Sequence, residues 1–560
     1  MLESLTPTIA PNRSSAVVAG WLITAAFVAA RVLPRLLVPG MFFDGVIYAT
    51  ISRNMAAGIG DIWHPVFSAT HWADYRDAPP LAFALESLLF RLLGDHFWVE
   101  KLYSTLTGLA TAFLIAAIWR RLADLRSPCS VLKKGTGTSR QPEIFGKSEL
   151  PLGASSLFQR SAWRNCSWLP VLLWMLLPGW MMVYGNNLLE GTMGLFAILA
   201  VYAGLRADEG GRAAFAWLPL AAASLVAALL SKGPVGLFPL STPIVAGLTL
   251  RRQRLGKSLA MNAALLGLFC ALLGLVFLQP GALEGFTKYL HIQVLASLAG
   301  ERERITSSLG QFFIFQEIVH ELVVPFAVAV ALILWSRRRS MASSLEDATP
   351  KRALAFCLLT ALCGSIPIAI SPKQENWYPF PSYPFYALAL ALWCAPALVR
   401  ILATDDAAAE GWNRRLLKRA AIGTLVMLVG AVGHSLRHPA RDQDIYFDTL
   451  ALARVVPKSS VVSFEKSSDD VHGDAAFPCY LARWANISVD DKKPHEFLVL
   501  PIAGSIQSPP GYKETPTEMR LYRLFQRTDR LNLATEPVVR IDSIRIGEVV
   551  EPRAAAYLLK

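Results

Sequence analysis

Asp44, Asp77, Glu190, Lys232, Lys373 and Tyr378 are the side chains whose types and positions could do chemistry in this 560-residue chain. Asp44 lies in FFDGVIYATISRNMAAG (42–58), Asp77 in HWADYRDAPP (71–80) and Glu190 at the end of YGNNLLE (184–190). Lys232 lies in LLSKGPVG (229–236), and Lys373 and Tyr378 share SPKQENWYPFPSYP (371–384). Each borders a long apolar run, and ionisable groups near membrane depth are costly enough to suggest function. A carboxylate can accept a proton from a nucleophile, and cations can neutralise a phosphate. The mixed set therefore suits a site that activates a nucleophile while holding a phosphate. Plainer uses exist for each. Asp44 and Asp77 could cap helices, Glu190 could face a helix N-terminal dipole, and Lys232 could snorkel to headgroups. Lys373 and the ERER run at 301–304 could be solvated, and Trp377 and Tyr378 could be belt aromatics.

The elements that must position these residues are membrane spans. Hydrophobic residues make up 53% of the chain and charged residues only 17%, against about 25% charged in soluble domains. Apolar stretches near the length of a spanning helix occur at 15–37, 97–119, 167–184, 189–205, 213–230, 233–250, 258–279, 320–335, 352–370, 378–398 and 419–434, eleven in all. Arg31 and Arg35 close the first run where a signal peptide would carry its cleavage region, so an uncleaved helix is expected. A further apolar stretch, 79–94, contains Glu86 and Arg91. If it does not cross, Lys and Arg concentrate in alternate loops, among them 120–164, RRQRLGK at 251–257 and RRR at 337–339. The positive-inside rule then places the N-terminus and these loops in the cytoplasm. The stretch 79–94 is accordingly expected to lie at the outer boundary as a juxtamembrane helix.

The net charge of +12 is therefore a topology signal, and no nucleic-acid partner is expected. The seven Cys form no CxxC or CxxH, so no metal framework is legible in them. No internal repeat of the kind many transporters carry is visible. Residues 1–435 read as the membrane part, with a first outer loop at 38–96 and a Ser-, Gly- and Lys-rich cytoplasmic loop at 123–164. Residues 436–560 read as a small extracytoplasmic α/β domain, with a helix near 444–456 and strands near 461–464, 497–502, 519–525 and 538–546.

In their order along 40–400 these motifs resemble the GT-C membrane glycosyltransferases, specifically the dolichyl-phosphate-mannose–protein mannosyltransferase and aminoarabinose transferase-like superfamily. The residues that carry the resemblance are Asp44 followed by Tyr48-Ala49, Asp77 before Pro79-Pro80-Leu81, and FRLLGD…VEKLYS at 90–104. Glu190, the Lys232-Gly233-Pro234 turn, and Tyr378 with Pro381 and Pro384 follow. The resemblance implies a polytopic α-helical fold in the cytoplasmic (inner) membrane. Its donor would be a polyprenyl-phosphate-linked sugar, its acceptor a lipid, glycan or protein, and transfer would occur on the outer face. Asp44 would be the base, with Glu190 and Asp77 orienting the acceptor or a divalent metal ion held by Asp44 and Glu190. Tyr48 would belong to the donor site. The chain departs from the family at Gly45 and Ile47, where an acid and an Arg are frequent, and at Ala78, where a Lys commonly contacts the donor phosphate. Its second acid is Glu190 where Asp is usual. Phosphate binding then falls to Lys232, Lys373 or Arg76. A lipid-linked glycan transporter and a non-catalytic membrane assembly subunit are the competing readings.

Overall fold

The computed structural model describes residues 13–36, 38–123, 163–211, 214–302, 309–338, 350–402, 407–437, 441–466, 471–502 and 508–528. The expected loop 123–164 and the strand at 538–546 fall almost wholly or wholly outside these residues. Among the described residues, eight helices are long and apolar enough to cross a membrane: Val17–Leu36, Val99–Ala123, Leu189–Asp208, Ala214–Lys232, Leu255–Phe277, Gly310–Arg338, Lys351–Ile370 and Phe380–Arg400. The chain is thus a multi-pass membrane protein.

The other three expected spans take different forms. The stretch 167–184 is broken into Trp163–Met175 and Gly179–Gly185, which turn by 89°. Pro178 at the break supplies no N–H and disfavours a helical residue before it. The stretch 233–250 is a shorter apolar helix, Pro234–Thr249. Gly233 with φ 112° and a 3₁₀ start through Pro234 and Pro239 explain its form. The last stretch lies within the 31-residue helix Ala407–Arg437.

Helix α1 (Phe43–Ala56) and helix α2 (Leu81–Leu93) lie in the segment 38–96 between the spanning helices Val17–Leu36 and Val99–Ala123. At 13 residues, α2 is about 20 Å long and cannot cross a core of about 30 Å. Pro79 and Pro80 precede it, and Gly94 at φ 84° ends it. Its Glu86 and Ser87 are buried against neighbouring elements.

The C-terminal region forms one five-stranded sheet in the order β2-β1-β3-β5-β4. The strands are β1 Val461–Phe464, β2 Ser488–Asp490, β3 Phe497–Pro501, β4 Tyr512–Glu514 and β5 Tyr522–Arg527. β1 pairs in parallel with β2 and β3, while β5 is antiparallel to β3 and β4. Helix Gln443–Leu452 occupies the expected helical stretch. The sheet shares one apolar core with the segment 38–96: Met41, Val46, Ile51 and Phe83 lie in the same cluster as Phe477, Tyr480, Val489 and Leu524.

Polar contacts seal this joint. Arg483 Nη1 donates to Asp95 at 2.6 Å and Nη2 to Glu100 at 3.0 Å. The Thr70 hydroxyl donates to the Val489 carbonyl at 2.5 Å, and Arg53 Nη2 to that of Ala482 at 3.0 Å.

Candidate functional site

Asp44 sits in the first turn of α1, one residue inside it. The residue that precedes the helix is Phe42, with no side-chain cap of its own. Its backbone N–H instead donates to Asn186 Oδ1 at 2.8 Å. A Cβ on Gly45 would run into the Asn186 carbonyl, so the helix start presses directly on that segment. The capping use of Asp44 is therefore replaced by a side chain from elsewhere. Capping by Asp77 fails likewise, because Pro80 is the cap position of α2 and no side chain bonds there.

Three residues after Asn187, Glu190 occupies the first turn of helix Leu189–Asp208 and is completely buried. Its Oε1 accepts from Lys232, forming an ion pair across 42 residues of sequence. Among the described residues, Oε2 is buried without a hydrogen-bond partner. The Lys232 ammonium also lies 5.2 Å from the Tyr378 ring centroid, within cation–π range. The backbone around Lys232 is fixed by Tyr289, whose hydroxyl donates to the Lys232 carbonyl at 2.8 Å. Only glycine fits next: φ is 112° at Gly233, and a Cβ there would strike the Tyr289 hydroxyl.

Asp44 belongs to the same electrostatic group. Burial raises its carboxyl to about 6; Lys232 opposes that rise, Glu190 and Glu375 add to it, and Lys373 opposes it. Tyr48, one turn along α1, is buried against Phe83 with ring centroids 5.7 Å apart. Its hydroxyl is pushed well above its ordinary value by burial, then by Asp44 and, among its other neighbours, Glu190. Asp77 is half-buried, and burial raises its carboxyl against a hydrogen bond from Gln293 and the charges of Arg302 and Lys373. Arg76 is differently employed. Its guanidinium is buried, donates to the Trp63 carbonyl and pairs with Asp74 at 2.8 Å.

The fold thus brings Asp44, Glu190, Lys232, Lys373 and Tyr378 together, with Tyr48 and Asp77 at their flanks. It adds Asn186, Glu375, Gln293 and Arg302, which motif reading did not select. Arg302 was visible as part of ERER and Glu375 as a charge in PKQENW, but nothing in either segment fixes a distance to Asp44. A metal ion held by Asp44 and Glu190 fits these residues poorly. Among the described residues no group of three or more His, Cys, Asp or Glu is placed to hold one. Lys232 already supplies the positive charge against Glu190.

No protein-family profile and no curated protein sequence matches the chain. Solved structures do. ArnT from Cupriavidus metallidurans bound to undecaprenyl phosphate overlays with a TM-score of 0.56 at 16% identity, over 90% of this chain and 98% of that one. The same protein in its apo state overlays at 0.51 with 15% identity, over the same 90% and 98%. The chain has the GT-C fold that its motif order resembles, with a small α/β region at its C-terminal end.

Proposed function

We propose that the chain is a glycosyltransferase that moves a sugar from a polyprenyl-phosphate-linked donor to an acceptor hydroxyl at the outer face of the cytoplasmic membrane. The observation that carries this is the meeting of Asp44 with the buried Glu190–Lys232 pair beside Tyr378, in a GT-C fold. The similar ArnT structure holds undecaprenyl phosphate, which supports a lipid phosphate as the leaving group. Asp44 accepts the acceptor's hydroxyl proton, and the acceptor oxygen bonds to the anomeric carbon as the carbon–phosphate-oxygen bond breaks. The electron pair leaves with the polyprenyl phosphate, which Lys232 and Lys373 neutralise. Attack opposite the phosphate inverts the anomeric centre. A carboxyl near 6 suits a base at neutral pH, being mostly ionised yet still basic.

A transporter would place its charges along a path through the spans, whereas these gather at the first turn of one span and the last turn of another. A non-catalytic subunit has in its favour the departures at Gly45, Ile47 and Ala78. The test is transfer from a synthetic polyprenyl-phosphate sugar by the purified chain. It is paired with mass spectrometry of lipid A, other envelope glycans and glycoproteins from cells with and without the chain. A sugar mass that depends on the chain names the acceptor. Absence of transfer to all three acceptor classes would reject the reading.

A further inference from the structure

A proton count at Glu86 points to a role that the proposed reaction does not assign. Glu86 is buried within α2. Its Oε1 accepts from Asn187 Nδ2 at 2.8 Å, and its Oε2 lies 2.7 Å from the Ser52 hydroxyl. That hydroxyl also lies 2.8 Å from the Tyr48 carbonyl. Serine has one hydroxyl proton and a carbonyl can only accept. If the serine proton goes to Tyr48, the contact with Glu86 needs a second proton, and only the carboxyl can supply it.

The two partners of this acid, and the Tyr48 carbonyl beyond Ser52, sit at informative places. Ser52 and Tyr48 are on α1, which also carries Asp44. Asn187, held at φ 54°, stands three residues before Glu190. We propose that Glu86 is a positioning residue kept as the neutral acid, whose proton locks the Asp44-bearing helix to the turn that presents Glu190. The charged and titratable groups facing it are Glu100 and Tyr103 of helix Val99–Ala123, and Arg483 of the C-terminal region. Burial, reinforced by Glu100, holds the carboxyl up to about 8 against the polar contacts with Ser52 and Asn187 and the charge of Arg483. Ionisation would place an anion beside the buried Glu100 and turn the Ser52 proton away from Tyr48.

The activity readout rests on the glycosyl-transfer reading, whereas the stability readout does not. Glutamine is the neutral isostere: its amide can donate to Ser52 and its carbonyl can accept from Asn187. A folded-state carboxyl raised from its ordinary value to about 8 contributes stability that is full at low pH and lost as pH rises through about 8. The full-length wild type and Glu86→Gln are melted across about pH 4–9 and assayed for transfer over the same range. The Gln variant should fold and lose less melting temperature towards alkaline pH. It should also lack the wild-type alkaline limb, a fall of about tenfold one unit above the midpoint. Superimposed melting profiles would overturn the neutral acid, as would a Gln variant that does not fold. A flatter melting profile with an unchanged alkaline limb would overturn the positioning role. If neither form transfers at any pH, the glycosyl-transfer reading fails while the melting comparison still decides the state of Glu86.

Discussion

At Asp44, burial opposes ionisation while Lys232 and Lys373 favour it, and the balance leaves the carboxyl near 6. This gives the residue opposite signatures in rate and stability. A base must be ionised, so turnover should fall as pH drops through about 6, by up to tenfold per unit below it. Stability runs the other way. A carboxyl raised above its unfolded value stabilises the fold at low pH, and that contribution is lost as pH rises through about 6. Asp44→Asn removes the ionisation penalty and no cap hydrogen bond, because Asn186 holds the helix start. It should melt no lower than wild type at neutral pH while transfer falls about 10²–10⁴-fold. Calorimetry beside a transfer assay checks both. An Asn variant keeping more than about a tenth of wild-type turnover would move the role of base to Asp77 or Glu190.

The broken span shows how an element fixes that site from a distance. Helix Trp168–Met175 ends and helix Gly179–Gly185 begins within the membrane part, leaving carbonyls and an N–H to satisfy. Arg31 Nη1 donates to the Met175 and Leu177 carbonyls at 2.8 and 3.1 Å. The Gly179 N–H lies 2.9 and 2.8 Å from the two carboxylate oxygens of Glu321. The positive group thus meets a helix C-terminus and the negative group an N-terminus, as the helix dipoles favour. Asn186, Asn187 and Glu190 follow directly on this break. Glu321→Leu leaves the Gly179 N–H without its acceptor, a loss of roughly 1–3 kcal/mol. We expect a lower melting temperature and reduced transfer, with Glu321→Gln recovering much of both. Full turnover in the Leu variant would show that the break does not position Glu190.

Two predictions concern the whole molecule. Arg483 is 2% exposed and its partner Glu100 is fully buried, at the joint between the C-terminal region and the start of helix Val99–Ala123. Removing one member of such a pair costs roughly 3–5 kcal/mol because the other charge remains buried. Arg483→Leu should therefore release the C-terminal region to limited proteolysis well before the membrane part melts. Unchanged protection would mean that the shared apolar core alone holds the joint. Sidedness follows from Lys and Arg placement. Single cysteines at the exposed positions Arg254 and Lys492, in a chain lacking its own cysteines, should label only in opened and in intact cells respectively. The reverse pattern would place the Asp44 site in the cytoplasm.

What the sequence determined are the properties that depend on one segment at a time. Apolar length and flanking charge marked the spanning helices, and the short reach of 79–94 with its internal Glu86 marked a helix that does not cross. Pro and Gly located several interruptions, although the 89° break at Leu176–Pro178 was read as a continuous span. Short strands such as Ser488–Asp490 were invisible, since so few residues carry no period. Tertiary structure alone decided which charges meet. Glu190 found Lys232 across 42 residues, the cap of α1 came from 144 residues away, and Arg76 was taken by Asp74 and Trp63. A charge in a sequence shows that a partner is needed. Which partner it finds depends on distances of a few ångströms, and those are set only when the helices pack.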